Sequence, residues 1–304
     1  MNDQISDEMA GLATEARNLN YLELDLLPTL EILAAINAED KKVAFAVEQS
    51  LPEITAAVDA ANERFERGGR IIYVGSGTSG RIAETDASEI APTFDTGIDR
   101  FVALQSGVIL KAGDGSSEDN RQGAVEALQE LNLDESDVLF GIAASGRTPF
   151  VIGALQFAKE IGALTISLSS NKKSLLADYS DIAICCEVGP EVIYGSTRMK
   201  AGTSQKLILN LFSTTLMVKQ GRSFGNLMSH MRVANEKLKD RAIRIVTEAT
   251  SAKPLEAKKA LSVAGNRIPI AILLILSGSD VESCIREFEA SDGRIRIALR
   301  NLGG

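Results

Sequence analysis

Apolar residues along the chain switch between two spacings. Val43, Val47, Leu51, Ile54, Val58, Ala61 and Phe65 recur at intervals of three and four, the stripe of a helix buried along one face. Ser50-Leu-Pro-Glu53 has the form of a capping box, so this stretch predicts two helices joined near Ser50. Gly68-Gly69 ends the stripe, and Ile71-Ile-Tyr-Val74 reads as a short buried strand. Phe101-Val-Ala-Leu104, Val138-Leu-Phe-Gly-Ile142, Leu164-Thr-Ile-Ser-Leu168 and Asp181-Ile-Ala-Ile-Cys185 are further strands, with a helix predicted over 148–161. Alternation of this kind predicts an α/β fold with a doubly wound, mainly parallel five-stranded sheet flanked by helices. Ligands bind such sheets beyond the carboxyl ends of the strands. After Arg198 no strand signal remains. Residues 199–218 and 226–250 read as long helices, and the remainder as short ones divided by Pro254, Gly265, Pro269, Gly278 and Gly293. The expected division is a domain over 1–247 and a small all-helical C-terminal subdomain over 248–304.

Three strand ends or helix starts are rich in glycine and hydroxyls. The first strand runs into Gly75-Ser-Gly-Thr-Ser-Gly80, where Gly77 lets the backbone approach a ligand and Thr78 and Ser79 add donors. A helix that starts there offers free amides and a partial positive charge, which suits phosphate. The pattern formally fits a dinucleotide fingerprint, but the second strand ends Ala103-Leu-Gln-Ser106 without the acid that fingerprint requires. The strand at 138–142 ends in Ala143-Ala-Ser-Gly-Arg-Thr-Pro149, where Ser145, Gly146 and Thr148 form a second such turn with Pro149 at the helix start. In Gly195-Ser-Thr-Arg-Met-Lys200 the hydroxyls of Ser196 and Thr197 join the cations Arg198 and Lys200. Cations oppose the helix dipole at an N-terminus, and an anionic ligand is one reason for them to be there.

Charge narrows the partners. The net charge of −9 leaves no footprint for nucleic acid or an anionic membrane, so an anionic substrate has to be held locally. The three cysteines, Cys185, Cys186 and Cys284, have no CxxC spacing and read as reduced structural residues. The single histidine, His230, cannot form a multi-histidine metal site and reads as structural. The N-terminus is acidic and lacks a signal-peptide core, and the longest apolar run, 268–276, is too short to span a bilayer. A cytoplasmic protein is expected. Candidate acids lie in Asp86-Ala-Ser-Glu89, on the helix after the first glycine turn, and in Ser116-Ser-Glu118-Asp119-Asn120, which opens a helix after the loose segment 107–115. If the first helix begins near Ser79, Glu89 lies about 15 Å along its axis and reaches a ligand only if the helix is broken early, as Pro92 suggests.

Gly75-Ser-Gly-Thr-Ser-Gly-Arg81, Asp86-Ala-Ser-Glu89, Gly141-Ile-Ala-Ala-Ser-Gly-Arg-Thr-Pro149, Gly195-Ser-Thr-Arg-Met-Lys-Ala-Gly202 and Gly225-Asn-Leu-Met228 with Asn235-Glu-Lys-Leu238 together resemble the N-acetylmuramic acid 6-phosphate etherases of the sugar-isomerase (SIS) superfamily. The resemblance runs in order from about Thr14 to the C-terminal helices. It implies a cytoplasmic homodimeric lyase of peptidoglycan and amino-sugar recycling, with a phosphorylated amino sugar as its partner and no metal or organic cofactor. Such a lyase cleaves the D-lactyl ether by elimination and rehydration, giving N-acetylglucosamine 6-phosphate and D-lactate. By the same resemblance Glu89 is the acid that protonates the leaving lactate and Glu118 the second catalytic glutamate. Gly77, Thr78, Ser79, Ser145, Gly146, Thr148, Ser196, Thr197 and Lys200 hold substrate and phosphate.

The sequence departs from the family pattern at 82–85, at 90–91 and across 104–117, where Leu104-Gln-Ser-Gly107 and Gly113-Asp-Gly-Ser-Ser117 replace more usual segments. These changes surround the sugar and the two acids and leave the phosphate turns alone. Two alternatives to the etherase therefore stand beside it: a non-catalytic phosphosugar-binding regulator, and a SIS enzyme acting on another amino-sugar phosphate.

Overall fold

The structure, a computed structural model, describes residues 11–107 and 116–303. The first ten residues and 108–115 of the expected loose segment lie outside the described residues. Five strands, β1 (Ile71–Gly75), β2 (Phe101–Gln105), β3 (Val138–Ile142), β4 (Leu164–Ser169) and β5 (Ile182–Cys185), pair in parallel throughout, in the order β2-β1-β3-β4-β5. All five fall where the apolar runs place them. Parallel neighbours require crossovers, and helices supply most of them. α1 (Thr29–Gln49) and α2 (Leu51–Glu66) precede the sheet; α3 (Gly77–Phe94), α4 (Arg121–Glu130) and α5 (Pro149–Glu160) join β1 to β2, β2 to β3 and β3 to β4.

Alternation along the strands builds the two faces of the sheet. Ile72, Val74 and Leu139 pack with Ala124 and Leu128 of α4 and with Val151, Ile152 and Leu155 of α5. On the other face Tyr73 and Phe140 meet Phe212, with edge-to-face rings at 6.5 and 5.1 Å, a geometry worth about 0.5–1.5 kcal/mol per pair beyond burial. Phe212 belongs to α6 (Lys200–Lys219).

The joint between α1 and α2 is at Ser50 as expected, but no capping box forms. The Ser50 hydroxyl donates instead to Cys185 O at 3.0 Å and ties the joint to the end of β5.

The chain forms two compact units, Met1–Ser88 with Asp99–Ser213, and Glu89–Ile98 with Thr214–Gly304. The division at 213/214, rather than at 247/248, follows from one apolar cluster. Ala242, Ile245 and Val246 of α7 (Glu236–Thr250) are buried with Ala257 and Leu261 of α8 (Pro254–Val263), Ile270–Leu273 of α9 (Ile268–Ser277), Cys284 and Phe288 of α10 (Val281–Ala290) and Ala298 of α11 (Ile295–Asn301). A cut after 247 splits that core. α7 also starts ten residues later than its periodicity suggests, because Asn235 caps it by accepting from Leu238 N at 3.0 Å. Upstream of that cap, buried His230 donates Nε2–H to Gly293 O at 2.9 Å, so its Nδ1 accepts from the Ser229 hydroxyl. Burial brings the His230 pKa down to about 4, which leaves a neutral, structural imidazole at pH 7.

Candidate active site

The strand order turns back between β1 and β3, and a doubly wound sheet opens a crevice at the carboxyl ends there. Gly75 is in register with Ile142. The turns that follow these two residues are therefore neighbours, and each opens a helix: α3 begins at Gly77 and α5 at Pro149. Both N-termini carry free amides toward the same crevice.

Each turn is shaped by glycine. Gly77 has φ +55°, the left-handed region. A Cβ there would lie 3.2 Å from Glu118 Oε1, so the glutamate carboxylate sits directly against the bare backbone. Gly146 has φ +71° and abuts Ser174, whose hydroxyl donates to Gly146 O at 3.3 Å. The Ser145 hydroxyl accepts from Arg147 N at 3.2 Å, and Thr148 caps α5 without using its side chain. Thr78, Ser145 and Thr148 are half-buried and Ser79 is buried. The structure thus brings Gly77, Thr78, Ser79, Ser145, Gly146, Thr148 and Glu118 to one sheet edge. Glu118 itself lies in a 3-10 turn, Ser116–Asp119, ahead of the Asn120 cap of α4.

The third segment joins this edge differently. Gly202 lies against Thr78 and Ile82 of α3, which brings the start of α6 beside the first turn. Ser196 and Thr197 are half-buried in the loop that leads there. Protein carboxylates, rather than a bound anion, account for the lysine at this helix start. Glu191, 1% exposed, accepts from Lys200 N and Ala201 N at 3.0 Å each, and so caps α6. The Lys200 ammonium is buried in an ion pair with Glu39 at 2.7 Å, both side chains 2% exposed. Lys200 as a phosphate ligand is corrected on this geometry: its charge already has a buried partner.

α3 also departs from expectation. It continues through Pro92 to Phe94, unbroken. Glu89 is exposed and lies twelve residues from Gly77, about 18 Å along the helix. Asp86, in the same motif, is buried and accepts from Tyr73 OH at 3.0 Å, Asn210 Nδ2 at 2.6 Å and Ser213 Oγ at 3.1 Å. Burial, and then the charge and hydrogen bond of Asp86, hold the Tyr73 hydroxyl well above its ordinary pKa, so it stays a donor. Asp86 therefore pins α3 to β1 and α6.

Asn171 belongs to none of the sequence motifs. Buried after β4, it donates to Ala144 O and Ser145 O and accepts from Thr14 N at 3.2 Å, fixing the second turn from below. Its one signal is the polar run Ser169-Ser-Asn171 at a strand end. The cysteines are free, and burial pushes the Cys185 thiol up to about 11, so it is not a nucleophile at neutral pH. Among the described residues no group of three or more His, Cys, Asp or Glu side chains is placed to hold a metal ion.

Comparison with known proteins sharpens this picture. The family model of the glucokinase regulatory protein N-terminal SIS domain matches residues 53–159, and the SIS domain model matches 122–214. A phosphoheptose isomerase from Neisseria gonorrhoeae has the same fold, with a TM-score of 0.50 and 20% identity over 62% of this chain and 98% of that one. The N-acetylmuramic acid 6-phosphate etherase of Aliivibrio fischeri (strain MJ11) is 48% identical over 295 residues, 96% of this chain and 98% of its own. That of Mesorhizobium japonicum is 45% identical over 298 residues, 97% of each chain.

The chain belongs to the N-acetylmuramic acid 6-phosphate etherase family.

The etherase-family motifs divide by position in the fold. Two of the three holding glycine and hydroxyls, 75–81 and 141–149, lie at the carboxyl edge of β1 and β3, and the third, 195–202, leads into α6. The Asn235 motif is a helix cap in the C-terminal unit.

Proposed function

We propose that this protein cleaves the D-lactyl ether of N-acetylmuramic acid 6-phosphate, working in the cytoplasm as a homodimer. The observation that carries the reading is the carboxylate of Glu118 against the bare backbone of Gly77, in the first of two neighbouring phosphate turns, on a chain that aligns end to end with named etherases. The amides of the α3 and α5 N-termini and the hydroxyls of Thr78, Ser79, Ser145 and Thr148 hold the 6-phosphate, assisted by Ser196 and Thr197. The ring-opened aldehyde acidifies the C2 proton. Glu118 removes it as general base, the C3–oxygen bond breaks, and Glu89 delivers a proton to the departing lactate. Water then adds across the double bond, so substrate and one water give N-acetylglucosamine 6-phosphate and D-lactate. The regulator reading gives way, because relatives at 45–48% identity over nearly the whole chain are named as etherases.

The homodimer has two supports. α1 and the segment before it expose Leu22, Leu26, Leu30, Leu33 and Phe45, an apolar surface of the kind a second copy covers. The unbroken α3 carries Glu89 about 18 Å from the turn at Gly77. A second copy is the means by which Glu89 serves a bound phosphosugar: each protomer contributes the acid to its partner's phosphate turns.

Incubating the purified protein with N-acetylmuramic acid 6-phosphate tests the activity. Stoichiometric D-lactate and N-acetylglucosamine 6-phosphate are expected; binding without lactate release removes the etherase and leaves the regulator. Gly77→Ala is a sharper probe of the first turn. It forces a Cβ onto positive φ and against Glu118, so about 1 kcal/mol of stability is lost in urea unfolding. D-lactate release is expected to fall by more than that stability loss accounts for, because the base is displaced; an unchanged kcat removes Glu118 from the reaction.

A further inference from the structure

Gln205 is 1% exposed, and neither its Oε1 nor its Nε2 has a hydrogen-bond partner among the described residues. A buried carboxamide with both ends unmet is rare in folded proteins. Its position supplies a reason. Gln205 stands seven residues before Phe212 on α6, so the two share one stripe of the helix. Phe212 packs on Tyr73 and Phe140 in the middle of β1 and β3, which makes that stripe the sheet-facing one. The start of α6 lies at the carboxyl edge, where Gly202 meets Thr78. Two turns back from Phe212 is about 10 Å, and three strand residues, Tyr73 to Ser76, cover about the same rise. Gln205 is therefore level with Ser76, at the carboxyl end of the sheet. The Ser76 hydroxyl is also buried and, among the described residues, without a partner.

We propose that Gln205 is a substrate-recognition residue that reads the uncharged part of the phosphosugar. The ester phosphate of the sugar, mainly dianionic at pH 7, offers acceptors and satisfies only Nε2. A hydroxyl or acetamido group of the sugar offers donor and acceptor together and satisfies both ends of the carboxamide. Gln205 thus distinguishes an amino-sugar phosphate from a bare phosphate at the same turns. The inference rests on the phosphosugar reading above.

The test is Gln205→Met, which keeps length and volume and removes both polar atoms. Calorimetric titration of wild type and variant with N-acetylglucosamine 6-phosphate and with inorganic phosphate, beside a thermal melt of each unliganded protein, separates the readings. The variant is expected to bind the phosphosugar roughly ten- to a hundredfold more weakly, to bind inorganic phosphate as the wild type does, and to melt at the same or a higher temperature. A higher melting point follows from removing unmet polar atoms, and a structural glutamine predicts the reverse. A variant that melts lower or fails to fold, or that binds the phosphosugar unchanged, or that loses phosphate equally, overturns the inference alone. A wild type that binds neither ligand overturns the phosphosugar reading, and this inference with it.

Discussion

Glu118→Gln lowers kcat for D-lactate release by roughly 10²- to 10⁴-fold, the usual contribution of a positioned base, while phosphosugar affinity changes little. The amide has nearly the shape of the carboxylate and fits the same place against Gly77, so the turn and the phosphate contacts persist. What disappears is the ability to accept the C2 proton. Glu89→Gln has a comparable effect on kcat, because an amide cannot protonate departing lactate. Loss in kcat with preserved binding marks groups that act in the transition state, and isothermal titration with N-acetylglucosamine 6-phosphate beside steady-state kinetics separates the two. A Glu118→Gln variant with unchanged kcat ends the base assignment.

The two inactive variants also answer each other when mixed. If Glu89 acts on the partner's turns, a hybrid of one Glu89→Gln and one Glu118→Gln protomer has one intact site and one doubly damaged site. Co-refolding equal amounts then restores about a quarter of wild-type activity, since half the dimers are hybrids and half their sites work. If both acids serve their own protomer, every site in the mixture is damaged and no activity returns. The unbroken course of α3 through Pro92 is why the first outcome is expected.

Fold and site were unequally legible in the sequence. The strands were readable because a parallel sheet buries both faces, which leaves short, nearly continuous apolar runs set off by glycine. The two glycine turns were readable for a related reason: positive φ at Gly77 and Gly146 demands glycine, and glycine stands out in a chain. What local pattern does not carry is partnership across long sequence separation. Pro92 signalled a break that did not occur, because a proline interrupts local hydrogen bonds while the helix is held by its packing. Asp86 and Glu89 are three apart on one helix, yet one is buried among Tyr73, Asn210 and Ser213 and the other is exposed. Asn171, Glu191 and Gln205 are ordinary polar letters until the fold shows where they are buried.

Lys200→Met is expected to destabilise the protein by about 3 kcal/mol, measured by urea unfolding at pH 7. The lysine reaches Glu39 across 161 positions of sequence, at 2.7 Å, with both side chains 2% exposed. Removing it leaves a carboxylate taken out of water, with Lys42, at 2.6 Å and largely exposed, as the cation that still pairs with it. Replacing both partners by apolar residues of similar volume, Glu39→Leu with Lys200→Met, recovers most of the loss, since no buried charge then remains. Acid should act through the same pair. Burial raises the Glu39 pKa, but hydrogen bonds from Lys200 and Lys42 outweigh it and hold the carboxyl below its ordinary value. A carboxyl lowered on folding contributes stability that is fully present above its unfolded pKa, near 4.5, and is lost as pH falls through the folded value. Wild type therefore loses this contribution below that pH, and the double variant does not. The same variant decides what Lys200 does. A lysine that held phosphate would leave unfolding unchanged on substitution and lose affinity for inorganic phosphate; the buried pair predicts lost stability with phosphate affinity retained by whatever fraction remains folded.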